Sequence, residues 1–222
     1  MYTTANLIQV IFISLNLIAF GFLAYKFIMA KSLSFRLFGF SMALLSLVEL
    51  CVLGVAMLWS AAFVDFKSMQ YLFYIYAILM LFSVSATSLR QKTGYYLNIF
   101  LAFLALIVTG IFFINPGINN ATAYTINYYL SFDNPATVNI FSLTLALSLG
   151  MAALIIGNQI KDRTLRLVTE IGFLIVIICL VMNLIVLSDS LRLVASIIQL
   201  VTLLTIGGFY LSKDLSKSKY IK

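Results

Sequence analysis

The residue with the clearest capacity for chemistry is a carboxylic acid inside an apolar run. Glu49 lies in "LLSLVELCVLG", residues 44–54, where it and Ser46 are the only residues that are neither apolar nor glycine. An ionisable group so deep in a hydrophobic stretch is costly, and it marks a functional site by default. We expect a neutral, protonated carboxyl. Two roles for Glu49 are then possible. It is either a protonation switch or gate for a solute or ion, or a neutral group that makes a polar contact between helices.

Two asparagines are the other candidates for a polar site within the membrane. Asn16 lies halfway along the preceding apolar run, at a depth similar to that of Glu49, and we expect its carboxamide to donate a hydrogen bond to the carboxyl. Asn183 lies on the sixth apolar run, and Gln199 and Thr202 lie on the seventh. The hypothesis is that Glu49, Asn16 and Asn183 line one interior pocket.

Most other site chemistry is missing from the sequence. The chain has no histidine, which excludes histidine-based metal, haem and proton-relay sites, and its two cysteines form no CxxC pair. We find no nucleophile beside a base, no paired carboxylates and no phosphate-binding loop. Glu170 follows Arg166 by four residues, which predicts an ordinary ion pair along one helix. The expectation is therefore a protein that is not an enzyme and holds no metal or cofactor.

Long apolar runs must position these residues. The 222 residues are 63% hydrophobic and 9% charged, with a mean hydropathy of +1.10, and a bilayer-spanning helix needs about 20 apolar residues. The fold predicted for residues 1–222 is all-α, a single seven-helix transmembrane bundle in direct contact with the lipid bilayer. The predicted spans are 6–28, 35–60, 69–89, 94–114, 136–158, 165–187 and 191–212.

The distribution of positive charge predicts the orientation. Twelve of the 14 Lys and Arg residues fall in or beside alternate connections and in the tail at 213–222, and only Lys67 and Arg192 fall on the other side. Basic residues concentrate on the cytoplasmic side, so we predict an outer N-terminus, a cytoplasmic C-terminus and a place in the plasma membrane. The net charge of +7 is then a topology signal, and no nucleic acid partner is expected.

The connection at 115–135 is the longest and is predicted to lie outside. A loop of this length often has a function or its own structure. Its apolar residues fit an extended strand by alternation, or a helix lying in the membrane interface. In either form an aromatic face would cover the mouth of the bundle or meet a partner. Its contact candidates are Tyr124, Tyr128, Tyr129 and Phe132, and Asn120 begins an N-glycosylation sequon, Asn-Ala-Thr.

A weak internal repeat suggests how the helices are grouped. "KSLSFRL" from Lys31 and "KDRTLRL" from Lys161 share Lys, a hydroxyl residue, Arg and Leu at matching positions. They open spans 2 and 6, which predicts a 3+1+3 arrangement, although basic residues at helix starts explain the match equally well. The chain is similar in helix count to microbial rhodopsins, to small 3+1+3 sugar transporters and to seven-helix sensory modules. Span 7 lacks the lysine that retinal requires, and no motif assigns the chain to any of these families.

Two functions are compatible with these features. The first is a non-enzymatic subunit, scaffold or sensor within a membrane complex, in contact with other integral membrane proteins. The alternative is a transporter or channel for a small solute or ion, with Glu49 as its protonatable group.

Overall fold

The protein consists of seven long α-helices. The computed structural model describes residues 4–57, 63–89, 91–114, 135–185, 189–211 and 213. Each helix is long and apolar enough to cross a membrane, which confirms the predicted all-α, seven-helix, multi-pass membrane fold. The membrane orientation and the 3+1+3 repeat stay predictions. In chain order the helices are α1 (Thr4–Ile28), α2 (Leu33–Met57), α3 (Phe63–Ala86), α4 (Gln91–Ile114), α5 (Pro135–Gln159), α6 (Arg163–Ile185) and α7 (Asp189–Leu211).

Six of these helices close a ring. Around it the order is α1, α2, α3, α5, α6 and α7, and α7 packs back against α1. Within the ranges that the structure describes, α4 packs on α3 alone and lies outside the ring. Only 11% of the α4 span is buried inside the protein, against 39% to 56% for the other six spans. The ring therefore has an enclosed interior, and α4 presents most of its surface outward.

The two ends of the bundle differ in charge. We call the end with the connections after α1, α3 and α5 the basic end, because it carries Lys26, Lys31, Arg36 and Lys161. The opposite end, where α1, α3, α5 and α7 begin, is the N-terminal end. If the predicted orientation holds, the basic end faces the cytoplasm.

Aromatic rings fill the interior towards the basic end. Their centroids lie 4.9 Å apart between Phe38 and Phe173, 5.0 Å apart between Phe27 and Tyr210, and 5.3 Å apart between Phe27 and Phe38. These three contacts are edge-to-face, the geometry that aromatic quadrupoles favour. The rings belong to α1, α2, α6 and α7, so they close the centre of the ring of helices. We call these residues the aromatic cluster: Phe27, Phe35, Phe38, Phe173 and Tyr210.

Hydrogen bonds join the helix ends around the aromatic cluster. Gln159, at the end of α5, accepts a hydrogen bond from Ser32 (2.9 Å) and donates one to Ser34 of α2 (3.1 Å). The Ser34 hydroxyl in turn pairs with that of Thr87 at 2.7 Å. On the other side of the ring, Lys26 of α1 donates to the carbonyl oxygen of Leu211, 3.1 Å away at the end of α7. Polar contacts thus hold the basic end closed.

Close approach of α1 and α2 near this end requires a glycine. A Cβ atom at Gly39 would lie 2.7 Å from the backbone nitrogen of Ile28 and 3.0 Å from the carbonyl oxygen of Ala24. Backbone atoms cannot rotate away as a side chain can. The absence of a side chain at Gly39 therefore lets the two helices carry Phe27 and Phe38 into contact.

Candidate polar site in the bundle interior

Buried polar side chains occupy the half of the bundle towards the N-terminal end. Each of the six ring helices contributes at least one, and every side chain in the set is at most 3% exposed. α7 contributes three, spaced four and then three residues apart, which places them on one face of the helix. We call this set the polar site: Asn16, Glu49, Gln70, Ser142, Asn183, Arg192, Ser196 and Gln199.

Glu49 meets a partner on α7, the helix on the other side of α1 in the ring. Gln199 donates a hydrogen bond from Nε2 to Oε1 of Glu49 over 3.2 Å. In the part of the chain that the structure describes, α2 and α7 do not pack against each other, so these two long side chains bridge the interior by themselves. Oε2 of Glu49 and Oε1 of Gln199 are buried without a hydrogen-bond partner among the described residues. The contact is therefore incomplete on both sides.

Asn16 also bonds to α7. Its Nδ2 donates to the backbone carbonyl oxygen of Ser196 over 3.1 Å, so the expected donation to Glu49 does not occur. In the ring α1 packs against α7 as well as α2, so a backbone carbonyl of α7 is also within reach of the carboxamide. A helix carbonyl keeps a second lone pair for such a donor. Asn16 and Glu49 thus join one site through neighbouring turns of α7.

Asn183 is fully buried near the end of α6. Neither its carboxamide oxygen nor its nitrogen has a hydrogen-bond partner among the described residues, and no bond joins it to Glu49 or Asn16. A buried carboxamide without partners carries a substantial desolvation cost. Asn183 is therefore a polar group available to a guest molecule or water in this half of the bundle.

Sequence reasoning missed four members of the polar site, Gln70, Ser142, Arg192 and Ser196, and two of them are large side chains whose burial was not expected. From the sequence, Arg192 was assigned to the membrane boundary as one of the charges that set the orientation. In the structure only 3% of its surface is exposed. The predicted span started at residue 69, which would place Gln70 at the membrane boundary. In the structure α3 begins at Phe63, so Gln70 lies almost two helical turns inside the helix. The regular spacing of Arg192, Ser196 and Gln199 along α7 was the available signal, since polar residues repeated on one helix face indicate a buried polar stripe.

The remaining predicted residues fall elsewhere. The loop candidates Tyr124, Tyr128, Tyr129 and Phe132, and the sequon at Asn120, lie outside the described residues. Glu170 accepts a 2.8 Å hydrogen bond from Nε of Arg166, which confirms the ion pair expected from their spacing. This pair lies on the basic-end turns of α6 and is separate from the polar site.

The polar site combines a carboxyl, a guanidinium group and several carboxamides. Carboxyl and amide oxygens suit a cation or a hydroxyl, and a guanidinium group suits an anion. These donors and acceptors are buried together in one half of the ring. No protein-family model matches the chain, and neither a curated protein nor a solved structure is significantly similar to it, so its function has to be inferred from the chemistry of this site.

Proposed function

We propose that the protein is a non-enzymatic transporter or channel of the plasma membrane that takes a small polar solute or ion into the polar site. One observation carries the proposal: the Glu49–Gln199 hydrogen bond spans the interior between two helices that do not pack on each other in the described residues. A bridge made only of side chains can open without unpacking helices. An ionisable residue inside a membrane protein also marks a functional site by default, and solute and proton pathways are among the roles that such residues have.

Protonation of Glu49 provides the switch. A protonated carboxyl has an O–H that can donate to Oε1 of Gln199, the buried acceptor that lacks a partner among the described residues. An ionised carboxyl can only accept hydrogen bonds, so its oxygen would repel Oε1 of Gln199, which is also an acceptor. The neutral carboxyl can therefore exchange two hydrogen bonds with Gln199 and the ionised carboxyl can make only one, so loss of the proton leaves an unpaired amide oxygen and a negative charge, which together attract a cation or a donor group of the solute.

The aromatic cluster gives the pathway a direction. Phe27, Phe38, Phe173 and Tyr210 close the centre of the ring on the basic side of the polar site. A solute therefore reaches the polar site from the N-terminal end. Passage to the basic end requires the rings to separate and the Gln159 and Lys26 hydrogen bonds to break.

Reconstituted protein tests this function. Liposomes that contain the protein and an internal pH-sensitive dye are given inward gradients of Na⁺, K⁺ or small neutral and zwitterionic solutes in turn. We expect at least one gradient to drive proton movement, and we expect Glu49→Gln to abolish it at full yield. Glu170→Gln, on the basic-end turns of α6, is the matched control and should keep wild-type flux. Equal flux in wild type and Glu49→Gln would overturn the role of Glu49, and no flux with any probe would argue against transport.

A role as a subunit, scaffold or sensor is the second candidate. The position of α4 outside the ring favours it, because the side chains of Tyr95 and Tyr96 are 63% and 68% exposed. Another integral membrane protein can cover that face. Purification in mild detergent, with identification of the proteins that copurify, separates the two functions. A stoichiometric partner supports the subunit, whereas a lone monomer or homo-oligomer supports transport or sensing, which the flux assay in liposomes then separates.

A further inference from the structure

A groove runs between α2 and α4 over the surface of α3. Among the described residues α2 and α4 do not pack against each other, although both pack against α3. The space between them measures about 490 Å³, within the range of pockets that hold small molecules. Its walls are mainly apolar and include Leu37, Leu44, Leu79, Met80, Ala102 and Ala105.

The length of the groove matches one half of a bilayer. On α4 it extends from Asn98 to Thr109, and at 1.5 Å per residue this is about 16 Å. The hydrocarbon core of a bilayer is about 30 Å thick, so the groove has the reach of one acyl chain of one leaflet. A transmembrane helix would extend well beyond it.

The groove starts at the basic end. Its wall on α2 begins at Leu33, and the positively charged side chains of Lys31, Arg36 and Lys92 are exposed around that end. Arg36 uses one guanidinium nitrogen to donate to the carbonyl oxygen of Lys31 at 3.1 Å, which leaves its other N–H groups for a further acceptor. These charges complement a phosphate, and anionic lipids are attracted to basic residues beside a membrane helix.

Polar groups lie within the groove as well. Asn98 places a carboxamide in its wall, and the carboxamide oxygen has no hydrogen-bond partner among the described residues. A carboxamide can both donate and accept, which suits the ester region of a phospholipid. At the far end of the groove the hydroxyls of Tyr76 and Thr109 bond to each other and tie α3 to α4, so the groove has a closed end.

We propose that this groove binds one acyl chain of an anionic phospholipid from the leaflet at the basic end, with the headgroup held by Arg36 and Lys92. The groove matches such a lipid in length, in apolarity and in charge. It is independent of the transport proposed for the polar site, which lies inside the ring.

The test compares two phospholipids and two tryptophan variants. Native mass spectrometry of detergent-purified protein, titrated with phosphatidylglycerol or phosphatidylcholine, counts the lipids that each chain retains. We expect one tightly held phosphatidylglycerol. Ala105→Trp should abolish its retention by filling the groove, whereas Ile107→Trp, on the opposite face of α4, should not change it. Arg36→Gln should weaken phosphatidylglycerol about fivefold and leave phosphatidylcholine unchanged, since each basic residue near a membrane surface contributes a modest electrostatic attraction.

Several results would overturn the proposal. Equal retention of the two lipids, or retention that survives Ala105→Trp, would show that the groove does not select an anionic lipid. Loss of a copurifying protein or of a dimer in Ala105→Trp would assign the groove to a partner helix or to a second copy. Arg36→Gln changes an exposed residue and leaves the groove intact, so the charge dependence can be measured even if the tryptophan variant does not fold.

Discussion

The two halves of the ring interior are built by different rules. Towards the basic end, aromatic rings from four helices meet at 4.9 to 5.3 Å and fill the centre. Towards the N-terminal end, Glu49 and Gln199 bridge the centre with a single hydrogen bond. In a membrane, apolar surface gains little by leaving lipid, so packing and polar contacts decide stability. The comparison assigns stability to the aromatic half and chemistry to the polar half.

Truncation in the aromatic half should have the largest effect. Phe173→Ala removes the ring that contacts both Phe27 and Phe38, and we expect it to lower the free energy of unfolding by roughly 3 kcal/mol, the scale of buried Phe-to-Ala changes. Thermal or SDS-induced unfolding in detergent micelles measures it. Phe103→Ala on α4, where the side chain is 61% exposed, should have little effect. Equal losses in the two variants would refute the importance of the aromatic half.

The second-largest loss of stability is expected from a methyl group added between α1 and α2. Gly39→Ala places a Cβ atom 2.7 Å from a backbone nitrogen of the neighbouring helix, and the expected cost is about 1–3 kcal/mol through forced separation of the helices. Gly208→Ala is the control, because a Cβ there has no neighbour within 4 Å. The control should be neutral or stabilise by up to about 1 kcal/mol through helix propensity. The same unfolding assay reports both, and a Gly39→Ala variant as stable as its control would refute the close approach.

In the polar half a change should cost less stability. Gln199→Leu removes the donor to Glu49 at similar volume, and we expect a loss of about 0.6–1.7 kcal/mol, the range measured for hydrogen bonds between membrane helices. Thr202→Val is the control, since that hydroxyl bonds within its own helix to the carbonyl oxygen of Ile198. A loss as large as that of Phe173→Ala would contradict the division between the halves.

The smallest effect concerns the exposed rim of the basic end. Backbone N–H groups of Leu165 and Thr164, together with Lys213, hold the pKa of the Asp162 carboxyl below its usual range. Because the pKa is lowered in the folded state, the stabilisation is present above about pH 4 and is lost as the pH falls through the folded pKa. Asp162→Asn keeps a capping oxygen and removes the titration.

Melting curves recorded between pH 6 and pH 3 at low salt test this prediction. The wild-type Tm should fall slightly further than that of Asp162→Asn over this range. Parallel curves for the two proteins would show that Asp162 does not contribute.

Features that depend on one helix could be predicted from the sequence. The hydrogen-bond partners that polar side chains find on other helices could not. Hydropathy gave the seven helices because apolar length alone decides whether a helix can span, and spacing gave the Arg166–Glu170 pair because both residues lie on one helix. The partner of Glu49 depends on the order of the helices in the ring. Asn16, on the neighbouring helix, was the natural expectation, whereas the observed partner lies 150 residues later in the chain.

The burial of Arg192 shows the same limit. A charge three residues after the start of α7 has the position of an ordinary membrane-boundary residue, and only the packing of the ring shows that its side chain is enclosed. The displaced position of α4 is likewise a property of the assembled bundle. Both α4 and α5 are long and apolar enough to span, and although α4 is richer in aromatic residues, that difference does not indicate which helices it packs against.

The contacts of α7 have a consequence for biosynthesis. Asn16 and Glu49 find their partners 180 and 150 residues further along the chain, in a helix that is synthesised well after their own. At roughly 5–20 residues per second, the carboxyl of Glu49 waits on the order of ten seconds in the membrane before Gln199 is made. During that interval the nascent chain carries polar groups without their final partners, and an unpaired polar group in hydrocarbon costs free energy. Ring closure therefore has to wait for α7, because both Asn16 and Glu49 bond to it.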